Sequence, residues 1–545
     1  MKQFTTIRYR LGLGGAGLLL GAVLSAFGAA NPPVDPLDVS LTAIGRYTNA
    51  GPYNKAAAKV VAHDPLTQRL YVANERDNRL EVLDILDPTQ PTKIGQLDMN
   101  PDGAIVNGVA VQNGLLAVAV QNAVKTSPGQ VVFFDRNLQF LNAVPVGALP
   151  DFIVFSPDGR WVLAANEGEP NTYNDYGAET NGPSIDPEGS ITVIDLSTGV
   201  ATPTVNTATF TAFNGVPLDP SIRIFGPNAT VAQDLEPESI TVSADSTTAY
   251  VTLQENNAMA VVDIASATVT QLVGLGFKDC SQPGYGLDAS DQDGANHIAN
   301  WPVWAVYLPD EVAAYQYQGQ TFLVMANEGD VRDYPGYAEA VRVSTLTLDP
   351  TVFTNAVELK KTNNLGRLNV SKVGGDLDGD GDYDVLFATG GRSFTIRTAD
   401  GQIVFDSGDQ FEQVTAALYP KNFNCSNTAN TRDARSPTKG PEPEGVVLGK
   451  VAGRMLAFID FERLGGIIVY DVSNPFSPEL VDYVNTRNFV NPFNFDTAGD
   501  LGPEGLKFIS AEDSPTGKPL LAVASEVSGS VTLFQINKRA SKAEL

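Results

Sequence analysis

A short apolar strand that ends in a carboxylate or an amide recurs along this chain, and no other feature restricts its fold as much. The copies read LYVANE (ending at Glu75), LAVAVQ (Gln121), VLAANE (Glu167), YVTLQE (Glu255), FLVMANE (Glu328), LAFIDFE (Glu462) and LAVASE (Glu526), with VLFATGGR (Arg392) as a variant. Most follow a β-rich segment and a turn, as in DFIVFSPDGRWVLAANE, and several precede an outer strand such as SITVIDL or GIIVYDV. Strand, turn, strand, loop, strand is the order of a β-propeller blade. Helical periodicity is nearly absent, and the Val, Ile, Phe and Tyr runs are separated by Gly, Pro, Asp and Asn turns. The expectation is an all-β chain with a single propeller at 51–537, of eight blades, with seven as the alternative count. Within 31–50, LDVSLTAIGR is the candidate strand that closes the ring against the last blade.

Blade topology gives the acidic positions a face. If the first strand of each blade runs down the channel and the second runs back, the glutamates ending the second strands all emerge at one mouth. A second signal converges there: Pro237-Glu238-Ser239, Pro443-Glu444-Gly445 and Pro503-Glu504-Gly505 each open an innermost strand. One such glutamate reads as a solvated turn residue, but several around one pore repel unless a cation offsets them. Glu167, Glu238, Glu255, Glu328, Glu444, Glu462 and Glu504 are therefore candidate cation ligands at the channel mouth. Arg332 and Arg392, near the same strand ends, are candidate phosphate contacts, and Arg392 and Arg463 are also placed to neutralise part of the ring.

The stretch GGDLDGDGDYDVLFATGG contains a different acidic pattern. Asp376, Asp378, Asp380 and Asp384 occupy positions 1, 3, 5 and 9 of a calcium-type loop, Gly381 takes the sharp turn at position 6, and Asp382 offers its carbonyl at position 7. Calcium takes six to eight oxygen ligands, and this spacing folds alternate side chains toward one ion. No glutamate stands at position 12, so the loop reads as a turn between two β-strands. Its place inside the sixth hairpin puts it on the face opposite the glutamate mouth, as a structural site.

With 36 basic and 63 acidic residues the net charge is −27, which disfavours nucleic acid and anionic membranes and favours cations as ligands. Lys2, Arg8 and Arg10, an apolar run from Leu11 and small residues up to Ala30 make residues 1–30 a signal peptide. No later window is long and apolar enough for a membrane span, and 538–545 is a basic tail. The chain is thus expected to be secreted, periplasmic or at the cell surface. Cys280 and Cys425, the only cysteines, are expected to pair as a disulfide in an exported protein. Two cysteines and two histidines are too few for a thiolate or imidazole zinc site, so any metal is expected to be oxygen-bound.

The motifs DLEPESITVSADSTTAYVTLQENNAMAVVDI, ANEGDVRDY, GDLDGDGDYDVLFATGGRSFTI, GPEPEGV and LGPEGLKFISAEDSP together resemble the choice-of-anchor I domain family. That family is a group of exported propellers that takes in the mesenchyme-specific cell-surface glycoproteins. The likeness runs from Asp35 to Ile536 and implies a propeller in an extracellular setting; it names no reaction. Family members reach the surface through varied C-terminal anchors, and this sequence shows none. Two functions stay open. One is a calcium-stabilised binding, adhesion or cell-envelope protein with an extracellular ligand. The other is a metal-dependent phosphoesterase, in which further divalent cations at the mouth would clamp phosphate and activate water as in propeller alkaline phosphatases and phytases.

Overall fold

The computed structural model describes residues 39–101, 103–173 and 184–538. The expected signal peptide and residues 539–545 of the expected tail lie outside them. The described chain is all-β, and most of its strands form seven four-stranded antiparallel sheets, six of them laid out in sequence order from the channel outward. We label these blades I to VII: 61–98, 105–148, 150–209, 240–274, 312–406, 443–484, and 503–538. The fourth strand of blade VII is Val39–Thr48, which pairs antiparallel with Ser530–Lys538, so the two ends of the described chain share one sheet.

The innermost strands neighbour one another in order around the ring, and that of blade VII meets that of blade I. The Pro-Glu-Gly motif has a steric basis in this ring. A β-bulge at Pro443/Val446 and another at Pro503/Gly505 turn the intervening glutamate toward the channel. The glycine that follows lets the next blade close in: a Cβ on Gly445 would lie 2.6 Å from Glu504 O, and one on Gly505 would lie 2.4 Å from Lys59 O. Alternating residues of each strand face neighbouring blades and make the core, as where Leu70, Val72, Leu520 and Ala522 meet between blades VII and I.

The hairpin VLFATGGR does not become a blade. Phe387–Thr389 joins a five-stranded sheet outside the seven, where it runs parallel to Trp304–Val306 and antiparallel to Asn369–Ser371. This sheet is assembled from the connection between blades IV and V and from an insertion between the second and third strands of blade V. Both rise from the end at which the second strands finish. The expected calcium loop lies inside that insertion, between Asn369–Ser371 and Phe387–Thr389, so it belongs to the mouth end and not to the opposite face.

One further expectation, the disulfide, is corrected by packing. Cys280 and Cys425 are free, buried thiols. Cys280 packs with Leu287, Val303 and Leu365 in the core of the extra sheet, and Cys425 sits beside Arg487 and Tyr483; burial pushes both thiols up to about 11. Among the described residues no helix is long and apolar enough to cross a membrane.

Candidate functional site

Pairing to the second strand places one residue of each blade at the inner rim, at or just before the opening of the innermost strand. Blades III to VII contribute Asp151, Glu238, Asp310, Glu444 and Glu504; blades I and II contribute Lys59 and Asn107. The equivalence rests on pairing: Glu238 N and Asp310 N donate to Thr252 O and Ala326 O, as Lys59 N does to Ala73 O. Asp151 and Asp310 follow a proline as Glu238, Glu444 and Glu504 do, so Pro-acid was the readable signal and Pro-Glu too narrow a version of it.

A second ring lies at the ends of the second strands, at Glu75, Gln121, Glu167, Gln254, Glu328, Glu462 and Glu526. Glu255 is one residue past this ring; Gln254 takes the position and donates to Glu328 Oε2 at 2.8 Å. Glu255 instead lies near Glu236 and Arg332, and burial pushes it up to about 8. Both rings line or flank one cavity of about 490 Å³, whose wall along the innermost strands includes Val61, Val109, Ile153 and Leu506 together with Gln112 and Lys507.

Tethered cations answer part of this charge. Lys59 Nζ lies 3.3 Å from Asp151 and 3.7 Å from Glu504. Lys439 Nζ sits 2.5 Å from Glu328, 3.0 Å from Asp330 and 3.1 Å from Glu442, and Arg463 binds Glu442 at 2.8 Å and Glu462 at 2.7 Å. These partners hold Glu442 down at about 2. Among the described residues Glu238 and Glu444 have no such partner, and burial, followed by neighbouring carboxylates, pushes both well above the usual range. Burial does the same to Glu504 and Glu167 against the pull of Lys59. The Oε2 atoms of Glu444 and Glu504 are shut off from solvent and have no hydrogen-bond partner among the described residues.

The arginines expected to contact phosphate are committed elsewhere. Arg332, fully buried, pairs with Asp234 and with Glu236 at 3.2 Å and stacks on Phe225. Arg392 donates to Asp288 O, Glu412 Oε1, Ser436 O and Thr438 O at 2.7–2.8 Å, tying three segments of the mouth-side insertions together. Arg463 does neutralise part of the ring; Arg392 pairs with Glu412, outside it.

In the aspartate loop, Asp376, Asp378 and Asp384 each offer an oxygen within 4.8 Å of the others, and Asp349, from a neighbouring segment, forms a second such group with Asp382 and Asp384. Asp380 stands apart and accepts from Asp382 N at 3.1 Å. Gly381 has φ +98, which the turn requires and an L side chain resists. An all-oxygen donor set of this kind suits a hard cation such as calcium.

Seven sheets around a carboxylate-lined channel define a β-propeller with an acidic mouth. The sequence profile of the choice-of-anchor I domain matches residues 59–475, and the chain belongs to that family. It is 32% identical over 184 residues to Gigasin-3a of Magallana gigas, covering 32% of this chain and 64% of that one. It is 28% identical over 288 residues to the mesenchyme-specific cell surface glycoprotein of Strongylocentrotus purpuratus, covering 46% of this chain and 36% of that one. The chain thus spans less than two thirds of the length of these curated relatives. Among solved structures it is similar to Kuenenia stuttgartiensis hydrazine synthase (TM-score 0.44, 13% identity, 90% of this chain and 99% of that one). It is also similar to streptogramin B lyase (TM-score 0.44, 11% identity, 92% and 98%).

Proposed function

We propose that this chain is an exported binding propeller of the cell surface or its surroundings, with residues 1–30 as signal peptide, calcium in the Asp376–Asp384 loop and recognition at the acidic mouth. One observation carries the reading: blades III to VII each direct a carboxylate to the same rim, and two of these keep a buried oxygen without a partner among the described residues. Such a rim attracts and orients a cationic group. The family and the cell-surface glycoprotein relative support the extracellular setting. Phosphoester chemistry finds less support, since Arg332 and Arg392 are held by buried carboxylates and carbonyls and offer no phosphate clamp.

Elemental analysis of the purified chain with and without chelator, alongside phosphomonoester and phosphodiester assays, tests this. The expected result is one calcium per chain and no turnover. Asp384→Asn, which touches both oxygen groups of the loop, should lose that ion. Chelation should lower the thermal midpoint of the parent chain by a few degrees, since a ligand at 100 times its Kd stabilises by about 2.7 kcal/mol. Several metals per chain with chelator-sensitive hydrolysis would establish the phosphoesterase instead.

A further inference from the structure

The mouth has a built-in preference among cations, visible in which carboxylates converge and which do not. Ligand oxygens on one calcium ion lie within about 5 Å of each other, twice the bond length. Among the described mouth residues a trio that tight occurs at Glu328, Glu442 and Glu462, and it is already filled by Lys439 and Arg463. Asp310, Glu444 and Glu504 stand one per blade and do not form such a trio. Two of them keep an unsatisfied oxygen: among the described residues Glu444 Oε2 and Glu504 Oε2 are sealed without hydrogen-bond partners, and beside them Asp460, 0% exposed, has its Oδ2 unpartnered while Oδ1 accepts from Gly445 N at 2.7 Å.

The occupants the ring already accepts show what fits. Lys59 and Lys439 each present an ammonium on an alkyl stem: Lys59 lies between the carboxylates of Asp151 and Glu504 from two blades, and Lys439 among those of Glu328, Asp330 and Glu442. Along the innermost strands Val109, Ile153 and Leu506 line the same cavity and offer some apolar surface to methylene groups, beside Gln112 and Lys507. The cavity, about 490 Å³, lies within the range of small-molecule sites.

Deepening the binding reading above, on which it rests, we infer that the mouth takes a primary alkylammonium ligand of the diamine or polyamine class, its charged head among Asp310, Glu444 and Glu504 and its methylenes along that apolar surface. Charge-assisted hydrogen bonds to carboxylates supply the head-group recognition. Lys59 is then a tethered competitor that occupies the Asp151 side of the same rim.

Calorimetric titration of the calcium-loaded full chain with cadaverine and spermidine, and with 1-pentanol as an uncharged control, tests the inference. Both amines are expected to bind and pentanol not. Glu444→Gln and Glu504→Gln should each weaken cadaverine at least tenfold while melting no lower than the parent. Lys59→Gln should tighten it several-fold, a gain that partial unfolding would not produce. Absence of amine binding, or binding unchanged in all three variants, overturns the inference. If calcium instead binds at the mouth as ions beyond the loop's, lost in Glu444→Gln and not displaced by cadaverine, the amine assignment falls while a cation-binding mouth stands. The reading of a binding propeller fails separately, by hydrolysis.

Discussion

Replacing Lys439 with methionine is expected to destabilise the fold by about 3–5 kcal/mol, the usual cost of removing one partner from a buried ionic cluster. Its ammonium touches Glu328, Asp330 and Glu442, and its side chain is 8% exposed. Methionine preserves much of the stem's volume, so packing changes little and the loss is electrostatic. Glu442 would retain Arg435 and Arg463, whereas Glu328 would keep, among the described residues, the neutral amide of Gln254 as its hydrogen-bond donor. Urea unfolding of Lys439→Met should show a lower midpoint at unchanged slope. The pair Lys439→Met with Glu328→Gln should recover more than half of the loss, because groups in direct contact do not add. A loss no larger than about 0.5 kcal/mol, typical of a surface substitution, would mean that water screens this cluster despite its burial.

The legible parts of this molecule are those whose cause is local in sequence. Alternating apolar runs between turn residues gave the strands, and Pro-Glu-Gly marked the bulged openings of blades VI and VII because glutamate and glycine there answer two neighbouring constraints, channel and next blade. The position of Glu255 was missed by one residue, since only the pairing of Leu253 with Ala258 sets Gln254 at the rim. The hairpin at 385–392 looked like a blade because its strand is apolar and short. Its parallel partner, Trp304–Val306, comes from a different connection, and no local pattern announces that pairing. Arg392 and Arg332 were unreadable for the same reason: an arginine near a strand end carries no mark of whether its guanidinium meets solvent or, like Arg392, carbonyls from residues far along the chain. The disulfide expectation follows compartment statistics, whereas Cys280 is buried in the apolar core of the extra sheet and Cys425 is buried elsewhere, beside Arg487 and Tyr483.

Stability is expected to fall as pH rises from about 5 to about 8.5, and the mouth is the reason. Burial raises Glu167, Glu238, Asp310, Glu444, Asp460 and Glu504 well above the ordinary carboxylate range, Glu255 to about 8 and Glu311 to about 7. An acid whose folded pKa is raised binds more protons folded than unfolded. Its contribution is complete below the unfolded value, near 4, and is lost as pH climbs through the folded value. Glu442 works in the opposite sense: held at about 2 by Lys439 and its arginines, it stabilises above its unfolded value and is lost only in acid. The two effects place the stability maximum near pH 5, with a decline on the order of a few kcal/mol by pH 8.5, since one pKa unit corresponds to about 1.36 kcal/mol. Urea midpoints at pH 5.5, 7 and 8.5, with calcium fixed so that the aspartate loop stays loaded, measure that slope. Glu444→Gln and Glu504→Gln should flatten it by removing a titrating charge while keeping the side chain's shape, and saturating cadaverine should flatten it in the parent chain by neutralising the same oxygens. A slope that is flat from the start would mean the rim carboxylates are already compensated, and one that rises with pH would reverse the sign assigned to their burial.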